Sequence, residues 1–198
     1  MAVALRKGQE HVVGKPPTAA LPTLAFGLGW DVKQSFSKGV LGIGAGKRKR
    51  AVDLDASCLL FDGNKELVDQ VWFQQYQSEG GAVVHSGDNQ SGSAPGADEI
   101  IHVNLSKLPD KVQTLVFTVT CFSELSFDKV DNAFISLVDT VTRAEEARFD
   151  LAVEGGQHTA LVIGKLTRRG SDWVFTALGV EGEGHTFVKL LPLIKTLI

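Results

Sequence analysis

The sequence predicts an all-β protein, an antiparallel β-sandwich with little helix. Apolar and polar residues alternate with a period of two through much of the chain, which is typical of strands with one buried face. Short apolar runs follow one another at near-regular spacing and are separated by turn signals. The segment "FDKVDNA" is the one stretch with the pattern of a helical turn. A βαβ fold would need helices between its strands, so the pattern favours the sandwich.

Four strands are predicted between residues 56 and 120. The segment "ASCLLFDGNKELVDQVWF" has two apolar runs on either side of Asp62 and Gly63, a dipeptide that favours a hairpin turn. The segments "IIHVNL" and "TLVFTVT" alternate, with polar residues on one face. Their apolar faces consist of Ile101, Val103 and Leu105 in the first segment, and Leu115, Phe117 and Val119 in the second.

Two further hairpins are predicted in the last third of the chain. The segments "AFISLVDT" and "EARFDLAV" flank "VTRAE", and the segments "LVIGKLT" and "DWVFTALGV" flank "RRGS". The second turn contains Gly170, and glycine adopts left-handed backbone angles without steric cost. We therefore expect strands over 133–140, 146–153, 161–167 and 172–180.

The chain is predicted to form a single domain over 1–198, with two segments outside the strand pattern. Residues 33–50 are Gly-rich and end in "KRKR", and we expect a flexible insertion there. Its glycines match neither the dinucleotide-binding nor the Walker phosphate-loop spacing. Residues 182–198 form an apolar tail, which we expect to dock on the body or on a partner.

The composition is ordinary for a globular protein and excludes several functions. Hydrophobic residues make up 43% and charged residues 22% of the 198 positions, and the formal net charge is -3, which argues against binding nucleic acid through the whole surface. The N-terminus has no secretory signal pattern, and no apolar run approaches the roughly 18 residues of a membrane span.

Cys58 and Cys121 fit no metal or redox spacing. We expect two buried free thiols in a reducing compartment, which predicts a cytoplasmic protein.

Asp53 and Asp55 in "VDLDAS" are the first candidate ligands. They lie two residues apart at the predicted start of a strand, so both carboxylates point the same way. Val52, Leu54 and Ala56 occupy the opposite face. Two like charges side by side repel each other, and a hard cation would relieve that repulsion. The polar outer face of an edge strand is the alternative interpretation.

The loop "GDNQSGSAPGADE" carries oxygen donors at both ends. These donors are Asp88, Asn89, Asp98 and Glu99. Gly92 and Gly96 would let backbone carbonyls turn inward as further ligands. The loop does not match the ligand positions of an EF-hand, and its flanks are predicted strands. Oxygen donors without a nearby cluster of His or Cys favour Ca²⁺, with Mg²⁺ as the weaker alternative.

No pairing of a nucleophile with a base emerges from the sequence. The five histidines are scattered, and His85, the nearest to Asp88 in sequence, is better explained as a strand histidine than as a catalytic base. Ser57 and Ser86 lack a nucleophile-elbow motif. The sequence therefore predicts a protein without catalytic activity.

Several motifs together resemble the TerD family of tellurite-resistance and general stress proteins. "LAFGLGWD", "DLDASCLLFD", "VVHSGDNQSGSAPGADEIIHVNLSKLP" and "FDKVDNAFISLVD" occur in the order seen in that family. The resemblance implies a cytoplasmic sandwich of two antiparallel sheets, with long loops at one end that bind calcium, and no established catalysis. Asp31 of "GWD" matches a family position as well, and we include it among the metal candidates.

Two alanines depart from the family pattern. Ala51 stands where the family has the first aspartate of D-F-D-L-D, and Ala97 stands where an acidic residue is usual. Since calcium takes roughly 6 to 8 oxygens, the remaining donors are enough for one ion, in a weakened site. The predicted metal ligands are Asp31, Asp53, Asp55, Asp88, Asn89, Gly92, Asp98 and Glu99.

The resemblance leaves two functions open. One is a non-enzymatic calcium-binding protein of the tellurite or chemical stress response. The other is a structural or assembly component that has partly lost calcium binding and contacts partners through residues 33–50 and 182–198. We expect protein partners, among them other TerD-like proteins or a larger assembly, no nucleic acid, and at most peripheral membrane association.

Overall fold

Strands are the main regular elements of the protein, which confirms the all-β prediction. The computed structural model describes residues 7–13, 21, 23–31, 34–36, 47–49, 52–90, 92, 96–123 and 125–198. Its strands are β1 (Glu10–Val13), β2 (Thr23–Asp31), β3 (Gln34–Phe36), β4 (Lys47–Lys49), β5 (Leu54–Phe61), β6 (Leu67–Val71), β7 (Val83–His85), β8 (Glu99–Asn104), β9 (Thr114–Cys121), β10 (Asp131–Asp139), β11 (Glu145–Asp150), β12 (Ala160–Arg169) and β13 (Asp172–Gly182).

Two antiparallel sheets form the sandwich. The first has the strand order β1-β13-β12-β9-β5-β6, and the second has the order β11-β10-β2-β8-β7. Strands β3 and β4 form a separate antiparallel ribbon inside the predicted insertion, whose remaining residues, 33, 37–46 and 50, lie outside the described residues. The sandwich of two sheets that the family resemblance implied is therefore confirmed.

The three predicted hairpins are present. Strands β5 and β6 are joined by the Asp62–Gly63 turn, in which the Asp62 carboxylate accepts hydrogen bonds from the backbone N–H groups of Asn64 and Glu66 at 2.8 and 2.9 Å. Strands β12 and β13 are joined at Gly170, whose φ of 65° is the left-handed conformation that the turn requires. Strands β10 and β11 form the third hairpin.

One predicted strand is too long. The pattern predicted strand over 146–153, whereas β11 ends at Asp150 and a short helix α1 follows over Leu151–Gly155. The Asp150 carboxylate accepts a hydrogen bond from the Val153 N–H at 3.3 Å, which favours a helix start at this point. The predicted helical turn is present as a 3-10 helix at Phe127–Lys129.

The main core lies between the two sheets. Phe26 of the second sheet stacks on Phe117 of the first, with ring centroids 4.6 Å apart. Leu54 and Ala56 of β5 are fully buried in this core, so their predicted face is confirmed. Asp55 is therefore left on the side of β5 that does not face the core, and Asp53 lies just before the strand begins.

The apolar tail packs on the outer face of the first sheet. It forms a 3-10 helix at Phe187–Leu190 and a helix α2 over Leu191–Leu197, and Ile194 is completely buried there. Burying an isoleucine side chain of this size contributes about 1.5–3 kcal/mol. Thr118 on the same face is also buried. Phe187, Leu190 and Ile194 of the tail are thus buried against their own sheet, whereas its other apolar residues are only partly buried. Contact of the tail with a partner stays a prediction. None of the described helices is long and apolar enough to cross a membrane.

Candidate metal centre

The candidate site lies where the start of β5 meets the loop between β7 and β8. Strand β6 pairs with β5 only from Cys58 to Phe61, so the earlier residues of β5 have a free edge on that side. Glu99, the first residue of β8, meets this edge, and its carboxylate accepts from the Ala56 N–H at 2.9 Å. The base of the loop is closed by a hydrogen bond of 2.8 Å from the Ser86 N–H to the Ile100 carbonyl.

Three carboxylates converge at this point. One oxygen each of Asp53, Asp55 and Asp88 lies within 4.8 Å of the others. The atoms Asp53 Oδ1, Asp55 Oδ2 and Asp88 Oδ1 are buried and accept no hydrogen bond from the described residues. Buried acceptors are usually paired, so three unpaired carboxylate oxygens at one place indicate a cation site.

The electrostatics of the cluster also indicate a cation site. Burial, and then the neighbouring carboxylates led by Glu99, raise the pKa of Asp55 to about 8. Burial, and then the charges of Asp88 and Glu99, raise the pKa of Asp53 to about 6. Holding these carboxylates close together in a buried place destabilises their charged forms, and a bound cation would offset this destabilisation.

Glu99 lies beside the cluster but is already engaged. Its side chain is completely buried, Oε2 accepts from the Ala56 N–H, and Oε1 accepts from the Asn89 N–H at 3.1 Å. The His85 ring lies on its other side, with Nε2 at 3.4 Å from Glu99 Oε2. Glu99 therefore joins the loop to β5.

Asp98 and Asn89 also hold the loop in shape. The Asp98 carboxylate accepts from the backbone N–H of Trp30 at 3.0 Å and from the Asn89 side-chain amide at 3.1 Å. The Asn89 side-chain oxygen in turn accepts from the Gly92 N–H at 3.2 Å. The Asp98 N–H donates to the Leu28 carbonyl at 2.7 Å, which fastens the loop to β2.

Asp31 lies at the end of β2, and its exposed carboxylate accepts a hydrogen bond of 2.6 Å from the Asn132 side chain. It is not part of the group formed by the three converging carboxylates. Of the eight ligands predicted from sequence, the structure thus brings together Asp53, Asp55 and Asp88. That the other five residues also bind an ion stays a prediction. Ala51 lies outside the described residues.

Sequence reasoning missed the groups that hold Asp53. The Asp53 N–H donates to Ser123 Oγ at 3.2 Å, and the Phe122 N–H donates to the Asp53 carbonyl at 2.9 Å. On the other side, the Trp30 indole N–H donates to the Val52 carbonyl at 3.0 Å. These contacts join residues between 22 and 70 positions apart, and no local spacing in the sequence signals them.

An open groove adjoins the centre at Asp88. The groove is lined by Tyr76, Ser86, Gly87, Asp88, Asn89, Gln90 and Asp98. Gln90 donates to the second oxygen of Asp88 at 2.9 Å, so one oxygen of Asp88 is held by the protein and the other faces the cluster. A centre of carboxylate oxygens suits a hard cation.

Replacing Gly92 by alanine is expected to disturb the centre through Trp30. Gly92 has a φ of 53°, and an added Cβ would lie 2.2 Å from Trp30 Nε1. Gly96 is the matched control, because its φ is 97° but an added Cβ would meet no atom within 4 Å. Both variants carry backbone strain, and Gly92→Ala should lose about 1–3 kcal/mol more stability in urea unfolding, from the clash. Equal losses for the two variants would show that the Trp30 contact is not tight.

The fold and the site define a β-sandwich protein with a carboxylate centre between loops at one end. The TerD domain family model matches residues 1–191, and the chain belongs to the TerD family. It is 46% identical over 184 residues to the tellurium resistance protein TerZ of Serratia marcescens, which covers 93% of this chain and 92% of that protein. It is 32% identical over 191 residues to general stress protein 16U of Bacillus subtilis (strain 168), with 93% of each chain covered.

A solved structure shares the fold. The crystal structure of a homologue of telluride resistance protein (TerD) from Streptomyces coelicolor A3(2) superposes with a TM-score of 0.67 and 19% sequence identity. The match covers 85% of this chain and 95% of that chain. The likeness supports the two-sheet architecture, and the family assignment made from the sequence motifs is confirmed by the family model.

Proposed function

We propose that this chain is a non-enzymatic calcium-binding protein that acts in the response to tellurium compounds or other chemical stress. The relatives named for tellurium resistance and general stress support the second part. The convergence of three unpaired carboxylate oxygens from Asp53, Asp55 and Asp88 supports the first.

Calcium suits this donor set better than the other common divalent cations. Zinc prefers nitrogen and sulfur ligands, and the grouped side chains offer carboxylate oxygens. Magnesium demands near-ideal octahedral geometry, whereas calcium accepts irregular sets of oxygens and water. The described residues contain one such group of three, which favours one ion over two.

The non-enzymatic part of the proposal rests on His85, which is hydrogen-bonded and buried beside the centre. His85 is the histidine beside it, and its Nδ1 accepts a hydrogen bond from the Gly87 N–H at 3.0 Å. Its side chain is fully buried, which does not suit a base that exchanges protons with a substrate.

We place the protein in the cytoplasm and expect it to act with protein partners, including other TerD-like proteins. Cys58 and Cys121 are both free and buried, as expected in a reducing compartment. Burial raises the pKa of the Cys58 thiol far above its usual range, so this thiol is unreactive. Nucleic-acid binding is not expected, and membrane contact would be peripheral at most.

The test is thermal unfolding of the purified protein in calcium, in magnesium and in chelator. A ligand that binds only the native state stabilises it by about 2.7 kcal/mol at 100 times its dissociation constant. We therefore expect the melting temperature to rise by several degrees in millimolar calcium, less in magnesium, and to return to its starting value with excess chelator. An unchanged melting temperature in millimolar calcium would contradict the proposal.

A further inference from the structure

We propose that His85 and Glu99 form a buried clamp that positions Asp88 for the cation, and that Glu99 is not itself a metal ligand. The inference rests on the cation site proposed above. It assigns a positioning role to two buried residues, one of which the sequence predicted as a ligand.

The two members of this pair, called the His85–Glu99 clamp below, hold the backbone on either side of Asp88. Before Asp88, the Gly87 N–H donates to His85 Nδ1 at 3.0 Å. After it, the Asn89 N–H donates to Glu99 Oε1 at 3.1 Å. Gly87 has a φ of 120°, a conformation that glycine adopts readily and other residues rarely do, so the turn into Asp88 depends on this glycine. The clamp therefore holds the peptide group between Ser86 and Gly87 and the one between Asp88 and Asn89, and these two contacts bracket Asp88.

Glu99 connects this backbone to the strand that carries the other two carboxylates. Its Oε2 accepts from the Ala56 N–H at 2.9 Å, next to Asp55 in sequence. One buried side chain thus spans from β5 to the loop, and it fixes the distance between Asp88 and Asp55. Both of its oxygens are engaged with backbone N–H groups, and it is not in the set of three that converge within 4.8 Å.

The hydrogen bond at Nδ1 determines which tautomer His85 adopts. Because Nδ1 accepts a hydrogen bond from an N–H group, the proton of the neutral ring is on Nε2. Nε2 lies 3.4 Å from Glu99 Oε2 and forms no hydrogen bond with any described residue. The two groups are in close contact without a hydrogen bond between them, so the ring acts on the Glu99 carboxylate through proximity and packing. The Tyr76 ring packs against the His85 ring with centroids 5.8 Å apart and limits its rotation.

Histidine variants separate the two contacts of the ring. His85→Asn keeps an acceptor near the position of Nδ1, His85→Gln keeps a donor near the position of Nε2, and His85→Ala keeps neither. We expect His85→Ala to weaken calcium binding by about 10- to 100-fold, the usual effect of losing a group that orients a ligand. His85→Asn should restore most of this affinity, because it restores the acceptor for Gly87. Equal affinities for His85→Ala and the wild type, or no rescue by either conservative variant, would overturn the clamp.

The ligand question is decided by counting the waters on a bound lanthanide. Terbium replaces calcium in oxygen sites, and its luminescence lifetimes in H₂O and D₂O report how many waters it carries. Asp88→Ala removes a proposed ligand and should add water to the terbium ion. Glu99→Gln keeps an acceptor oxygen for one of the two N–H groups and should leave the water count of the wild type unchanged while lowering affinity. An increase in bound water for Glu99→Gln would identify Glu99 as a ligand and overturn that part of the proposal.

Hydrogen exchange separates failure of the clamp from failure of the cation site. In chelator, we expect the amides of Gly87 and Asn89 to exchange at least about tenfold faster in His85→Ala than in the wild type, while amides in the core of β9 stay protected. If the wild type binds neither calcium nor terbium but this exchange result holds, the cation site fails and the clamp stands. Unchanged exchange at both amides would overturn the clamp whatever the metal results are.

Discussion

Replacing Asp55 by asparagine is expected to weaken calcium binding by about 100-fold or more and yet leave the calcium-free fold at least as stable as the wild type. Asp55 is only 4% exposed, and its Oδ2 has no hydrogen-bond partner among the described residues. Without a cation, a buried charge beside other carboxylates destabilises the native state. With a cation, the same charge is a ligand, and its loss should exceed the effect of losing an orienting group.

The measurements are calorimetric titration with calcium and thermal unfolding in chelator at pH 8. Asp110→Asn is the matched control, because it removes one exposed carboxylate from a turn far along the chain. The control should change neither calcium affinity nor the melting temperature measurably. If Asp55→Asn kept wild-type affinity, or lowered stability equally with and without calcium, Asp55 would be a structural residue and not a ligand.

The second large effect is a pH dependence that calcium reverses. In chelator, we expect the protein to become less stable as the pH rises from about 5 to about 8. Burial first, and then neighbouring carboxylates, raise the pKa of Asp55 from 3.8 to about 8 in the native state, and that of Asp53 from 3.8 to about 6. Between these values the native state holds protons that the unfolded chain has released. Since the native state binds more protons, the free energy of unfolding falls with increasing pH in this window.

With saturating calcium, we expect the stability of the protein to increase with pH instead of decreasing. Calcium competes with protons for the same oxygens, so the calcium-induced rise in melting temperature should grow between about pH 5 and about pH 8. Histidines also titrate in this range, so the informative quantity is the difference between the wild type and Asp55→Asn. In chelator, Asp55→Asn should lose much of the decline above pH 6. Parallel pH profiles for the two proteins would show that Asp55 does not carry a raised pKa.

The sheets were predictable because their determinants are local. Alternating residues such as Ile101 and Val103 place one face of a strand in the core, and the Asp62–Gly63 dipeptide and Gly170 identify the turns. The pattern does not show which sheet a strand joins. It does not show that α2 covers the outer face of the first sheet either, since that depends on packing between distant segments.

The three aspartates that converge were all among the residues that the sequence singled out, but the sequence could not separate them from the other candidates. The sequence gathered Asp53 and Asp55 with the loop acids, because oxygen donors at the ends of a long loop are typical of a cation site. It gave no means of separating Asp88, whose Oδ1 is unpaired, from Glu99, whose oxygens are engaged by backbone N–H groups. That division follows from where the free edge of β5 lies, which is a property of the assembled sheets.

The most direct measurement is a crystal structure of the protein determined with millimolar calcium in the crystal. We expect one ion bound by carboxylate oxygens of Asp53, Asp55 and Asp88 at about 2.3–2.6 Å, with waters completing its coordination. Glu99 should keep its hydrogen bonds to the backbone N–H groups of Ala56 and Asn89 in that structure. The absence of an ion between the three aspartates, or a calcium ion bound elsewhere with this cluster unoccupied, would contradict the account.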